Sequence, residues 1–212
     1  VASVAPSTHP SVAIYGEPVW DLALLHPAQG KWSHEDYLRL TDDTNWLIEY
    51  TAGHIEVLPM PTITHQLIVR FLIDILRSFV DPKKLGVVLF APVRVYIDPD
   101  NYREPDVVFS TLERLTKSGN RYFQGADLVM EVVSDDPESH ERDFEKKVSD
   151  YAEGGIPEYW IVDPQEKKIT VLTLVDKTYQ QHGVFGEGEV ATSKLLAGFS
   201  VAVTDVFAAA KV

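Results

Sequence analysis

Apolar positions along this chain recur at two periods, and the switches between them mark the predicted elements. Over 65–80 the polar residues Arg70, Asp74, Arg77 and Ser78 form a narrow stripe at helical spacing. Leu67, Ile68, Phe71, Leu72, Ile75, Leu76 and Phe79 fill most of the remaining circumference. A helix that is apolar on most sides is buried on most sides, so this one is expected to pack on a sheet and to offer a face to a second subunit. Residues 46–58 instead alternate in two short segments around Thr51-Ala52-Gly53, which is a hairpin signal.

Further strands are predicted over 87–97, 105–110, 127–133 and 158–163, the last stopped by Pro164. The near-continuous apolar run at 127–133 suggests a central position. Ser33 is a plausible N-cap for a short helix over 33–40, with acids in its first turn. A second helix over 139–153 ends at Gly154-Gly155. The stretch from about 168 to 203 reads as a hairpin and further strands, followed by a short helix at 204–210. Strands with interposed helices predict an α/β or α+β sheet protein. Residues 1–32, rich in Pro, Ser and His, read as an irregular segment, and 33–212 as a single domain.

Composition narrows the function without naming it. With 45% hydrophobic and 24% charged residues over 212 positions, the chain has ordinary globular proportions. It contains no run of about 18 apolar residues, so no membrane span is expected. Its first ten residues lack a basic start followed by an apolar stretch and do not read as a signal peptide; a disordered or cropped leader is expected there. The absence of cysteine excludes disulfides, thiolate catalysis and cysteine-ligated zinc, and fits a cytoplasmic protein. A metal site would use carboxylates, histidines and carbonyls, which suit magnesium or manganese. The net charge of −13 opposes polynucleotide binding, although Arg94, Arg103, Arg114, Lys117 and Arg121 gather in the middle third.

Two acids stand out. Asp106 and Glu131 each interrupt an otherwise apolar strand, and acids are seldom buried unless paired or bound to a metal. On neighbouring strands they would repel unless a cation or a shared proton relieved them. The simpler alternative is an ordinary ion pair with Arg94 or Arg103. The helix at 139–153 has its apolar face at Phe144, Val148, Tyr151 and Ala152. At about 100° per residue, Lys146 falls opposite that face and is expected in solvent, while Lys147 falls at its edge and can reach the acids. Asp143 is its simpler partner, at i, i+4. His65 follows Thr64, the expected N-cap, and its ring faces a site or packs locally. His54, His140 and His182 read as surface residues, Tyr159 and Trp160 as core, and Asp163 as a turn residue. The acidic stretch 134–143 reads as a solvated loop and helix start, perched beside Glu131 as a rim.

Four ordered pieces carry a resemblance: Pro105-Asp106, Glu131-Val-Val-Ser134, Asp143-x-x-x-Lys147-x-x-x-Tyr151, and Gly155-Ile-Pro-Glu-Tyr-Trp-Ile-Val-Asp-Pro164. Together they resemble the Uma-type restriction-endonuclease family of the PD-(D/E)XK nuclease superfamily, from about Ser33 to the C-terminal helix. The resemblance implies a restriction-endonuclease-like mixed central sheet flanked by helices, with an additional N-terminal hairpin. It implies a bacterial, cytoplasmic endonuclease acting on DNA, with Asp106, Glu131 and a carbonyl near Val132 holding magnesium or manganese. The superfamily's usual lysine position, two residues after the second acid, is Val133 here; Lys147 occupies the place it takes in Uma-type sequences. Glu49 stands where the family has a hairpin acid, either as a third ligand or water-orienting group, or as an exposed strand residue. A homodimer is expected. The alternatives are a non-catalytic binding or assembly protein with the nuclease fold, or a hydrolase of small phosphorylated substrates.

Overall fold

The computed structural model describes residues 26–44, 46–135 and 140–210. Most of the irregular segment expected at 1–32, and positions 136–139 of the acidic stretch, therefore lie outside the described residues. The fold is α/β: a mixed six-stranded sheet lies at its centre with helices on both faces.

Ser33 caps α1 (His34–Asp43) with a reciprocal box, its hydroxyl accepting from the Asp36 N–H while Asp36 accepts from the Ser33 N–H. The hairpin follows as β1 (Ile48–Thr51) and β2 (His54–Val57). Ala52 and Gly53 at its turn both have positive φ, and Gly53 abuts the Gly30 backbone so closely that a Cβ would sit 2.9 Å from it. α2 (Ile63–Lys83) extends the expected 65–80 helix at both ends. Its N-cap is Thr62 rather than Thr64, because the Thr62 hydroxyl accepts from the His65 N–H at 3.2 Å. Arg70, Asp74, Arg77 and Ser78 are exposed, while Ile68, Leu72 and Leu76 are sealed in the core.

The long strand expected over 87–97 is two strands in different sheets: β3 (Gly86–Phe90) and β4 (Val95–Asp98). Pro92 between them has no N–H to donate to a ladder, and the chain turns there. β5 (Asn101–Arg103), β6 (Val107–Thr111), the one-turn α3 (Leu112–Leu115) and β7 (Phe123–Gln124) lead to β8 (Leu128–Val132). A π-helical turn (Arg142–Lys146) enters α4 (Lys147–Glu153), and β9 (Glu158–Asp163) follows. The chain ends as β10 (Lys168–Val175), β11 (Thr178–Phe185), β12 (Val190–Thr192), β13 (Ser200–Ala202) and α5 (Val203–Ala208).

The six-stranded sheet runs β11-β10-β9-β8-β6-β3, and only β8–β9 pair in parallel. A five-stranded sheet runs β2-β1-β5-β4-β7, and the expected N-terminal hairpin forms one edge of it. Side chains alternate across a strand, and this divides β8 between two cores. Leu128, Met130 and Val132 join α2 and α5 on one face. Val129 and Val133 join β4 and Tyr151 of α4 on the other. Glu131 shares the parity of Val129 and Val133 and so points toward α4. All five β8 residues are buried, in keeping with the central position read from its apolar run.

Candidate active site

Strand register brings the two acids together. β6 and β8 pair antiparallel with Val107 opposite Met130 and Val108 opposite Val129; continued by one residue, that register sets Asp106 opposite Glu131. The Val132 N–H donates to Asp106 Oδ2 at 2.8 Å, which fixes the carboxylate beside β8. The ring of His65, in the first turn of α2, lies with Nε2 3.2 Å from the same oxygen. Burial pulls the imidazole toward its neutral form, but the Asp106 carboxylate outweighs it and raises the His65 pKa.

Glu131 is met from α4. Lys147 Nζ is 2.9 Å from Glu131 Oε1, 3.2 Å from Asp143 Oδ1 and 3.8 Å from Glu49 Oε1. The Tyr151 hydroxyl, one helical turn on, donates to Glu131 Oε1 at 2.5 Å. Lys147 therefore makes both its expected i, i+4 contact with Asp143 and the longer-range one with Glu131. It is also buried more deeply than the edge position a regular helix predicts. Asp143, Lys147 and Tyr151, spaced i, i+4, i+8, form one buried row that runs from the π-helical turn at 142–146 into α4. Lys146 is exposed, as its helical phase implies.

Glu49 is buried at 1% exposure, which removes the exposed-acid alternative. It accepts from the Glu104 N–H at 3.3 Å and from Arg103 Nη1 at 3.4 Å. Burial pushes its carboxyl up, yet the Lys147 and Arg103 cations outweigh burial and hold it below the ordinary range. Burial pushes the Glu131 carboxyl up, and Asp106 and Asp143 add to the push against the opposing pull of Lys147. Lys147 shows the converse: burial disfavours its charge, but Asp143, Glu131 and Glu49 outweigh it and raise the pKa. Lys147 is thus a cation shared among three carboxylates.

Asp106 and Glu131 are both paired, as the simpler alternative expects, but with His65 and Lys147 rather than with Arg94 or Arg103. Arg103 binds Asp150 and Glu49, and Arg94 binds Asp42. Glu104 was not foreseen: it is buried, accepts from the Ile48 N–H, and is pushed up to about 7 by burial and by Glu49. Its signal in the sequence was a second acid in Arg103-Glu104-Pro105-Asp106, masked by the proline and the more strand-like Asp106. Tyr159 and Trp160 are core residues and Asp163 caps its turn through the Gln165 and Glu166 N–H groups, as expected. His54, His140 and His182 are at the surface.

A cavity of about 240 Å³ opens onto this cluster, with His65, Asp106, Glu131, Val132, Arg142 and Lys147 in its walls. Among the described residues no group of three or more His, Asp or Glu side chains forms a ready-made metal cage. The donor set nonetheless fits a small hard ion, which is held by one or two carboxylates and keeps several waters.

A family model described as "Putative restriction endonuclease", Uma2, matches residues 34–204. A search of curated proteins returns no match. Among solved structures, the chain is similar to one titled a putative nuclease belonging to DUF820 from Anabaena variabilis ATCC 29413. The TM-score is 0.70 at 20% identity, over 85% of this chain and 99% of the other. At that identity the likeness speaks for the fold. The resemblance carried by the four ordered motifs and the match over most of the chain lead to one assignment: this protein belongs to the Uma2 restriction-endonuclease family.

Proposed function

We propose that the protein is a divalent-metal-dependent endonuclease that hydrolyses phosphodiester bonds in nucleic acid, DNA first among substrates. The observation that carries the reading is the Lys147 ammonium 2.9 Å from Glu131 on the wall of a cavity that also holds Asp106. Asp106, Glu131 and the Val132 carbonyl would hold magnesium or manganese. When bound, such an ion supplies Lewis-acid charge and an ionised nucleophile at neutral pH. Lys147 faces the cavity as a fixed cation and stabilises negative charge that develops on the phosphoryl oxygens. His65 orients Asp106, and Glu49 positions Lys147 and Arg103. Tyr151, kept protonated by burial and by Glu131, fixes the Glu131 carboxylate as a donor.

Metal-dependent cleavage of DNA by the wild type, lost in both Asp106→Ala and Lys147→Ala, is the expected result. Cleavage that survives both substitutions overturns the assignment. A second reading, hydrolysis of a small phosphorylated substrate, is favoured by the modest 240 Å³ of the cavity and by the −13 charge. A substrate panel run with manganese separates the two.

The protein is also proposed to work as a homodimer. Ile63 of α2 and Phe90 at the end of β3 are large, exposed and apolar, and they border a common groove of about 570 Å³ with Arg70, Asp74 and Arg77. A two-fold interface uses the same patch on both copies, so Ile63 and Phe90 of each would be covered by the other.

A further inference from the structure

A second and larger cavity, of about 650 Å³, lies beside the first, and Pro92 and Glu104 line both. Three segments distant in sequence build it: the end of α1, the 91–94 connection between β3 and β4, and the loop ahead of β7. Arg94 comes from the second and Arg121 from the third. Both converge on Asp42 of α1: Arg94 Nη1 reaches Oδ1 at 2.9 Å and Arg121 Nη2 reaches Oδ2 at 2.7 Å. Arg121 Nη1 also lies 3.7 Å from Glu35. Trp46, 62% exposed, stands at the wall, with Leu89 and Phe123 among the apolar lining.

The placement of the middle-third basic residues gives this cavity its meaning. Arg103 is buried on Asp150 and Glu49, Arg114 pairs with Asp127, and Lys117 pairs with Glu113. Arg94 and Arg121 are the members of that group that line a cavity next to the acidic site. Each guanidinium has five N–H donors in a planar fork, and Asp42 takes one from each. Asp42 is a carboxylate seated where a phosphate can sit. An exposed tryptophan offers a face on which a base stacks without sequence preference. The volume is that of a pocket for a small ligand, which an extruded or unpaired nucleotide can enter and a base-paired one cannot.

We propose that this cavity receives an unpaired nucleotide of the strand being cut, its phosphate on Arg94 and Arg121 and its base against Trp46. The inference deepens the nuclease reading by naming single-stranded or locally opened nucleic acid as the substrate class. Asp42 then acts as an internal competitor that occupies the arginines until a phosphate displaces it. The two guanidiniums share the cavity with Asp42 and Glu104, so binding rests on their hydrogen-bond donors rather than on a basic surface.

The test is fluorescence anisotropy with a short labelled oligonucleotide of mixed sequence, free or annealed to its complement, in calcium so that binding is read without turnover. The wild type is expected to bind the single strand more tightly than the duplex. Trp46→Ala and Arg121→Ala, both at exposed positions, are expected to weaken single-strand binding about tenfold or more. Asp42→Asn is expected to tighten it several-fold, whereas a purely structural tether would lower the melting temperature and leave affinity unchanged or weaker. A free mononucleotide, run as competitor, shows whether the cavity takes the unit alone or only within a strand. Equal binding of both forms, unmoved by Trp46→Ala and Arg121→Ala, overturns the inference even if metal-dependent cleavage stands. Conversely, single-strand binding that depends on these residues in a protein that cleaves nothing supports the cavity as an unpaired-nucleotide site, overturns its tie to a strand being cut, and removes the nuclease reading.

Discussion

At the scale of single residues, the decisive feature is one lysine serving three acids. Lys147 and Glu131 are each 4% exposed in their side chains, and removing one partner of such a pair leaves an uncompensated buried charge. Lys147→Ala is expected to destabilise the protein by about 3–5 kcal/mol, read from urea unfolding at neutral pH. The double variant Lys147→Ala/Glu131→Gln should recover part of that loss. An unchanged midpoint in the single variant would show that the pair is not closed in solution. Glu49 gives a pH signature. Its folded-state pKa lies below the reference of 4.5, so its contribution to stability is complete above that pH and falls away as pH drops beneath it. The wild type should therefore lose more stability than Glu49→Gln between about pH 5 and pH 3. Parallel curves for the two would refute the role given to its cationic neighbours.

At the scale of elements, parity and phase do the positioning. β8 turns Glu131 toward α4 because its even-numbered neighbours are claimed by the α2 core. α4 then carries Lys147 and Tyr151, one turn apart, onto that carboxylate. α2 keeps Ile68, Leu72 and Leu76 in the core and leaves Ile63 exposed beside Phe90. If that groove is where two copies meet, the wild type sediments as a dimer and Ile63→Glu/Phe90→Glu as a folded monomer. A wild type that sediments as a monomer at micromolar concentration would remove the dimer from the proposal.

At the scale of the whole molecule, a net charge of −13 limits how nucleic acid can be held. A protein that grips a strand through one phosphate on Arg94 and Arg121 should show a shallow salt dependence. For a single strand the slope of log K against log salt is then about −0.7 for that one neutralised phosphate. Arg121→Ala should make it shallower still. A slope several times steeper would mean that a broader basic surface, outside the second cavity, carries binding.

Local signals settled much of this protein in advance. Ser33, the Thr51-Ala52-Gly53 turn, the polar stripe of α2 and the apolar run of β8 each depend on neighbours within a turn or a strand, so the sequence by itself determined those elements. It also singled out Asp106 and Glu131, because charge inside an apolar strand is visible without a structure, and it placed Lys147 at the edge of a helical face within reach of them. What it could not determine is which charge meets which. Arg103 passes the two strand acids to bind Asp150 and Glu49, Glu104 hides behind a proline, and the Val87–Ile97 run divides between two sheets at Pro92. Ion pairs form between groups tens of residues apart, and their partners are fixed by strand register and helix phase. Only the tertiary structure, by setting Asp106 opposite Glu131 and placing Lys147 of α4 on Glu131, decided that these acids share a cavity, one beside His65 and the other on a lysine.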